Sequence, residues 1–342
     1  MLLGIYMQIK KYMSILGQLI SLSIPLIACS QGGSSSSTTT QVNYPLVTIA
    51  NPNNPNDPLT GIGSIDYTYQ IGKYDVTISQ YAAFLNAVAK TDKYFLYDER
   101  MATDLNSAGI TRSGSEGNYS YKVMDNGGYS GNRPITYITW FNAARFANWM
   151  ANGQPVGVED STTTENGAYN LNGAITGDAI AKNVINPNTG KAPSYYIPKY
   201  NEWYKAAYYS PKLNNGAGGY YLYATESNAA PGNVIGDKPN QANNFPSSTF
   251  SVTQSPTYLY ATQNYLTDVG AFTNSSSYYG TFDQNGNVYQ WNDLDGTPAP
   301  YRGLAGGYWF SGAYSMQATI YNTNVPDKTD NGVGFRLASP VE

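Results

Sequence analysis

The chain has 342 residues, one cysteine, no histidine and a formal net charge of −4, with only 12% of its residues charged. So sparse and acidic a balance argues against a nucleic-acid partner, because neutralising phosphates takes clustered lysine and arginine. A single cysteine excludes an internal disulfide, and after residue 28 no apolar run is long enough to span a bilayer.

In chain order, the first element is a secretory signal. Lys10 and Lys11 precede an apolar stretch over about 13–27, and the stretch closes on Leu26-Ile27-Ala28-Cys29. An aliphatic residue at −3, Ala at −1 and Cys at +1 resemble a bacterial lipobox, which makes Cys29 the expected lipidation site. Acyl chains add about 0.8 kcal/mol per buried CH₂, so the mature protein is expected to touch the membrane through this anchor only. Gln31 at +2, rather than Asp, resembles the outer-membrane sorting signal of Gram-negative bacteria, so the expected location is the cell envelope. The signal peptide is placed at 1–28 and a flexible Ser/Thr-rich tether at 29–43.

Three helices follow from periodicity. The first, over about 78–90, starts at a capping box of Thr77 and Gln80 and buries Tyr81, Phe84, Leu85 and Val88. The second, over about 140–151, has Thr139 as N-cap and a face of Trp140, Ala143, Ala144, Ala147 and Met150. The third, over about 199–209, begins after Pro198, buries Trp203, Ala206 and Ala207, and is stopped by Pro211. Glycine and asparagine punctuate the rest. A loop-rich chain without disulfides needs something else to hold its loops, and calcium, which takes oxygen ligands, is the expected structural ion. The 33 tyrosines, against 10 phenylalanines, supply stiff apolar bodies with hydrogen-bonding tips.

Four segments in order carry a family resemblance. They are Tyr69-Gln70-Ile71-Gly72-Lys73-Tyr74-Asp75-Val76-Thr77; Asn132-Arg133-Pro134 through Trp140; Tyr196-Ile197-Pro198 through Ala207; and a long C-terminal set. That set comprises Leu266 to Phe272, Gly286-Asn287-Val288-Tyr289-Gln290-Trp291, Arg302-Gly303, Gly306-Gly307-Tyr308-Trp309 and Gly334-Phe335-Arg336. Together they resemble the formylglycine-generating enzyme, or sulfatase-modifying factor, family. The resemblance implies one α+β domain over 44–342, irregular and loop-rich, with a C-type-lectin-like core and the helices as peripheral supports.

It also bears on chemistry. The family's oxidase uses two cysteines in its C-terminal third to bind copper(I) and engage a substrate thiol, and its iron-dependent relatives use histidine ligands. Between Gly306 and Arg336 there is no cysteine, and the chain has no histidine, so neither copper nor iron is expected and no catalytic residue is assigned. Carried over from the family, calcium ligands fall on Asn243 and Asn244 for one site, and on Asn287, the Val288 carbonyl and Gln290 for another. Gln290 replaces a glutamate and Gly270 stands where members place aspartate, which reduces the charge available to a cation. Asp268, Asp283, Asp293 and Asp295 are the carboxylates near this region.

Residues 308–331 depart most from the family pattern. Rich in Tyr, Ser, Asn and Gly, the segment resembles antibody-like contact chemistry on a rigid frame and the variable region of diversity-generating-retroelement target proteins. Tyr308, Trp309, Phe310, Tyr314, Gln317, Tyr321, Asn322 and Asn324 are the candidate ligand-binding residues, for a protein, peptide or glycan. The expected function is thus a lipid-anchored extracytoplasmic binding protein. The alternative is a metalloenzyme of the same family with a non-standard site, which would need those carboxylates gathered in a cleft facing 308–324.

Overall fold

The computed structural model describes residues 41–255 and 258–341. The signal, Cys29 and the tether up to residue 40 lie outside the described residues. In chain order the elements are β1 (Leu46–Ile49), β2 (Tyr69–Gly72), α1 (Ile78–Val88), α2 (Arg100–Thr103), β3 (Ile110–Ser113), β4 (Ser120–Val123), α3 (Trp140–Ala151) and α4 (Tyr200–Tyr208). They continue with β5 (Tyr209–Ser210), α5 (Leu213–Gly216), β6 (Gly219–Tyr220), β7 (Tyr289–Asn292), β8 (Arg302–Ala305), β9 (Asn322–Asn324), β10 (Val333–Phe335) and β11 (Ala338–Pro340).

Two sheets form the frame. β1 and β11 both pair antiparallel with β2, so the first and last strands share one partner: Val47 and Ala338 each sit opposite Ile71. In the second sheet the order is β10-β7-β8-β9, with β10 parallel to β7 and the other pairs antiparallel. Only Arg336 and Leu337 separate β10 from β11, so the chain steps between the sheets within two residues. Gln154 grips Val42 through both its backbone groups.

α1 starts where its capping box requires. The Gln80 amide N–H donates to Thr77 Oγ1 at 3.3 Å, and the Thr77 N–H donates back to Gln80 Oε1 at 2.9 Å. Its apolar stripe meets α3 in an aromatic knot, with Phe84 5.3 Å from both Phe146 and Trp149. Phe335 of β10 closes the knot edge-on against Phe146 at 5.4 Å. α1 stops two residues early, at Val88. α4 begins one residue late, because Lys199 is its N-cap, and ends at Tyr208 as Tyr209 pairs into β5.

α3 corrects the picture of peripheral helices: all its residues, polar ones included, are buried. Its polar side is covered by a long loop that its own side chains hold. Arg145 forms a two-pronged ion pair with Glu165, at 2.7 and 2.9 Å, and stacks over Tyr94. Asn148 donates to the Thr164 and Tyr169 carbonyls and accepts from the Tyr169 N–H.

Candidate ligand-binding site

A pocket of about 660 Å³ opens where four segments meet: the 59–62 turn, the start of α4, the 294–299 turn and the run into β9. Pro198 and the buried Glu202 fix the start of α4. Glu202 Oε2 accepts from the Lys199 N–H at 2.7 Å, doing from the third helical position what Lys199 cannot do as a cap. This sets Tyr200 on the pocket wall, its ring 5.2 Å from Tyr321 and tilted by 55°. Tyr200 is 7% exposed and Tyr321 55%, so one ring is a fixed wall and the other a rim. Leu59, Ile62, Leu294 and Ala318 make the lining largely apolar.

Asp295 is the charged residue of the lining. Its carboxylate accepts from both the N–H and the hydroxyl of Thr297, at 2.8 and 2.7 Å, which holds its pKa below the usual aspartate value. The Tyr321 phenol shifts the other way, upward, through partial burial and then the charge of Asp295. The pocket therefore offers aromatic faces, an aliphatic lining and a fixed negative charge, a composition suited to binding.

Of the eight candidate residues in 308–324, the structure brings Tyr321 to this pocket. Trp309 is not available to a ligand, being 1% exposed with its indole stacked on Tyr265 at 5.0 Å. A buried partner thus accounts for a tryptophan that the sequence suggests is a surface anchor. Phe310 extends the same aromatic cluster, stacking on Trp309 and covering Phe245 and Phe250, and Tyr308 stacks on Tyr289. Gln317 donates to the Tyr223 hydroxyl, and Tyr314 projects with 70% exposure. Asn322 and Asn324 pair opposite Leu304 and Arg302 in the sheet. Tyr200, Leu59 and Ile62 were not among the candidates; the helix start at Pro198 was a signal for Tyr200, and Leu59 and Ile62 had none.

The expected cation ligands separate as well. Gln290 Oε1 accepts from Trp203 Nε1 and from Arg336 Nε, each at 2.6 Å, and its amide donates to the Asp283 carbonyl. That oxygen already serves a guanidinium, whose charge opposes a second cation at the same place. Arg336 reaches further, to the Gly72 and Phe282 carbonyls and to Asp75, and so ties the two sheets together. Asn287 is also engaged: it accepts from Asn243 and the Thr267 N–H and donates to the Thr267 carbonyl. Val288 packs its side chain beside Phe250 and Tyr265. By contrast, Asn243 Oδ1, Asn244 Oδ1 and Thr267 Oγ1 are buried without a hydrogen-bond partner, and unsatisfied hard oxygens suit a cation such as calcium.

The carboxylates do not gather into one cleft. Asp283 accepts from the Gly270 N–H, and burial raises its pKa to about 6. Asp293 is locked by Trp140, Tyr169 and Arg302, its pKa raised to about 6 by burial against the pull of Arg302. Asp268 is exposed, and Asp295 lies in the pocket. Among the described residues no three His, Cys, Asp or Glu side chains converge as a metal site.

Residues 31–341 match the family described as a sulfatase-modifying factor enzyme 1-like domain. The crystal structure of CarF is similar at 19% identity and a TM-score of 0.50, covering 88% of this chain and 99% of that one. Treponema denticola variable protein 1 is similar at 16% identity and a TM-score of 0.52, over 89% and 98% of the two chains. PvdO from Pseudomonas aeruginosa aligns at 14% identity, over 87% and 92%, with a TM-score of 0.41. No curated protein sequence matches. Identities this low speak for the fold, an irregular loop-rich α+β arrangement of formylglycine-generating-enzyme and C-type-lectin-like kind. The family match spans nearly the whole described domain, and the chain belongs to the sulfatase-modifying factor enzyme 1-like family.

Proposed function

We propose that this protein is a lipid-anchored, extracytoplasmic binding protein of the bacterial envelope, that it has lost the family's oxidase chemistry, and that its ligand enters the pocket between Tyr200 and Tyr321. The observation that carries this reading is the lining itself: two tyrosine rings, an aliphatic wall and one held carboxylate. From residue 30 onward the chain contains neither a thiol nor an imidazole to take part in copper or iron chemistry. The lipobox-like run ending at Cys29 supports the anchor, and the polar tether after it supports display away from a membrane. The fold similarity to a variable protein fits a binding role for the 308–331 segment. The ligand is a protein, peptide or glycan.

The alternative metalloenzyme reading rests on Asp295 alone, since Asp268, Asp283 and Asp293 do not join it in the pocket. A structural calcium remains part of the proposal only at the Asn243 and Asn244 end, where unpartnered oxygens support it. There an ion would stabilise the loops that carry Asn243, Asn244 and Thr267, and metal analysis of the purified protein tests for it.

Glycan and peptide arrays probed with the native chain and with Leu59→Arg test the main proposal. Leu59 is 76% exposed and lines the pocket, so the variant should fold normally and lose the bound class. An array pattern unchanged by Leu59→Arg and by Tyr321→Ala would remove the pocket from the proposal. Turnover of a cysteine peptide of sulfatase type would overturn the non-oxidase reading.

A further inference from the structure

We propose that a second recess, between Lys182 and Lys199, is an anion site that takes a phosphate group. The recess has a volume of about 280 Å³, and its lining includes Lys182, Tyr196, Lys199, Gly296 and Asp293. It lies across the 293–297 turn from the tyrosine pocket and does not depend on that pocket's role.

Two ammonium groups here, those of Lys182 and Lys199, have no carboxylate partner among the described residues. Lys182 is half-buried, its Nζ 4.6 Å from the Tyr196 ring centroid. Lys199 runs across the backbone of Gly296: a Cβ there would lie 2.9 Å from Lys199 Cε, and the φ of +87° also favours glycine. The two charges feel each other. Burial lowers the Lys182 pKa, Glu202 opposes that shift, and Lys199 adds to it.

The carboxylates within electrostatic reach are already engaged. Glu202 Oε1 accepts from the hydroxyls of Tyr67 and Tyr196, and Oε2 from the Lys199 N–H. Asp293 Oδ1 accepts from Trp140 Nε1 and lies 3.2 Å from Arg302 Nε, while Oδ2 accepts from the Tyr169 hydroxyl. Two lysines with three donors each suit a doubly charged tetrahedral oxyanion better than a single planar carboxylate.

The test titrates the full chain in detergent with inorganic phosphate at low ionic strength, read by ³¹P line broadening and calorimetry. Saturable binding is expected, weakened about tenfold or more by Lys182→Gln or Lys199→Gln and abolished by both, as for loss of charge-assisted hydrogen bonds. Val184→Glu is an independent variant. Val184 is 83% exposed and lines the recess, so a carboxylate there should compete with phosphate without disturbing the core. Lys238→Gln, at an exposed lysine that does not line the recess, should change nothing. Co-sedimentation with phosphatidylglycerol vesicles distinguishes the source of the group: retention lost in the double variant assigns a lipid headgroup, whereas phosphate binding without retention assigns a soluble phosphate. No saturable binding by the native chain up to about 20 mM phosphate, where screening dominates, would overturn the proposal. So would unchanged affinity in a double variant that remains folded.

Discussion

The α1–α3 half and the loop-rich half around 240–290 solve the same problem with different means. In the first, Phe84, Phe146 and Trp149 interlock, and area removed from water does most of the stabilising. In the second, a smaller aromatic cluster of Phe245, Phe250, Tyr265 and Trp309 is joined by buried amides that hold the loops. Asn285 joins the 224, 284 and 316 loops, and Asn287 joins 243 to 267. An asparagine side chain can satisfy backbone groups that no strand or helix pairs, so loops can be buried at little polar cost. The lesson is that a chain without disulfides can lock long loops with side-chain amides, and that calcium need not carry the whole burden.

Substitutions can break or sharpen this contrast. The largest effect is expected at the seam, where Arg336→Ala leaves Asp75 buried and unpaired; a loss of about 3–5 kcal/mol in denaturant unfolding is expected. Phe84→Ala should cost a similar amount, about 3–5 kcal/mol, while Phe84→Leu recovers much of it, because apolar volume is what matters there. Asn287→Ala should cost about 3 kcal/mol, and here Asn287→Leu should rescue nothing, since the loss is of hydrogen bonds and of a left-handed φ of +61° that asparagine tolerates. If Asn287→Leu were as stable as the native protein, the distinction between the halves would fail.

A pH series gives the next effect. Burial raises the Glu159 pKa from 4.5 to about 7, opposed by hydrogen bonds from the Lys93 and Tyr94 amides. A raised folded-state pKa means that the folded protein binds the proton more tightly. Its contribution is complete below about pH 4.5 and is lost as pH rises to about 7. Glu159→Gln should flatten the melting temperature across that window, though not entirely, because Asp283 and Asp293 shift in the same direction. The smallest effect on stability is expected from Thr77→Ala, about 1 kcal/mol from the lost cap.

The same contrast decides what could be read from the sequence. The capping box at Thr77, the period of α1 and the full span of α3 were legible, because each is a local pattern. That α3 would be buried on every side was not, since Arg145 and Asn148 look like solvent-facing residues until Glu165 and Tyr169 arrive from elsewhere in the chain. The pocket was half legible. Tyr321 stood out in a tyrosine-rich run, but its partner Tyr200 lies 121 positions earlier, and no spacing rule connects them. Trp309 misled for the same reason, its partner Tyr265 lying 44 positions earlier. Gln290 was legible as a departure from the family glutamate, and the structure supplies the physical sense of the change: its oxygen serves a guanidinium.

The turn from Asp293 to Thr297 is a party wall. Leu294, Asp295 and Thr297 face one cavity while Asp293 and Gly296 face the other. Any occupant that moves this wall changes the room left to its neighbour, and thermodynamic reciprocity makes the influence equal in both directions. Two compartments separated by five residues of backbone can thus report on each other without a hinge, a domain movement or a metal between them.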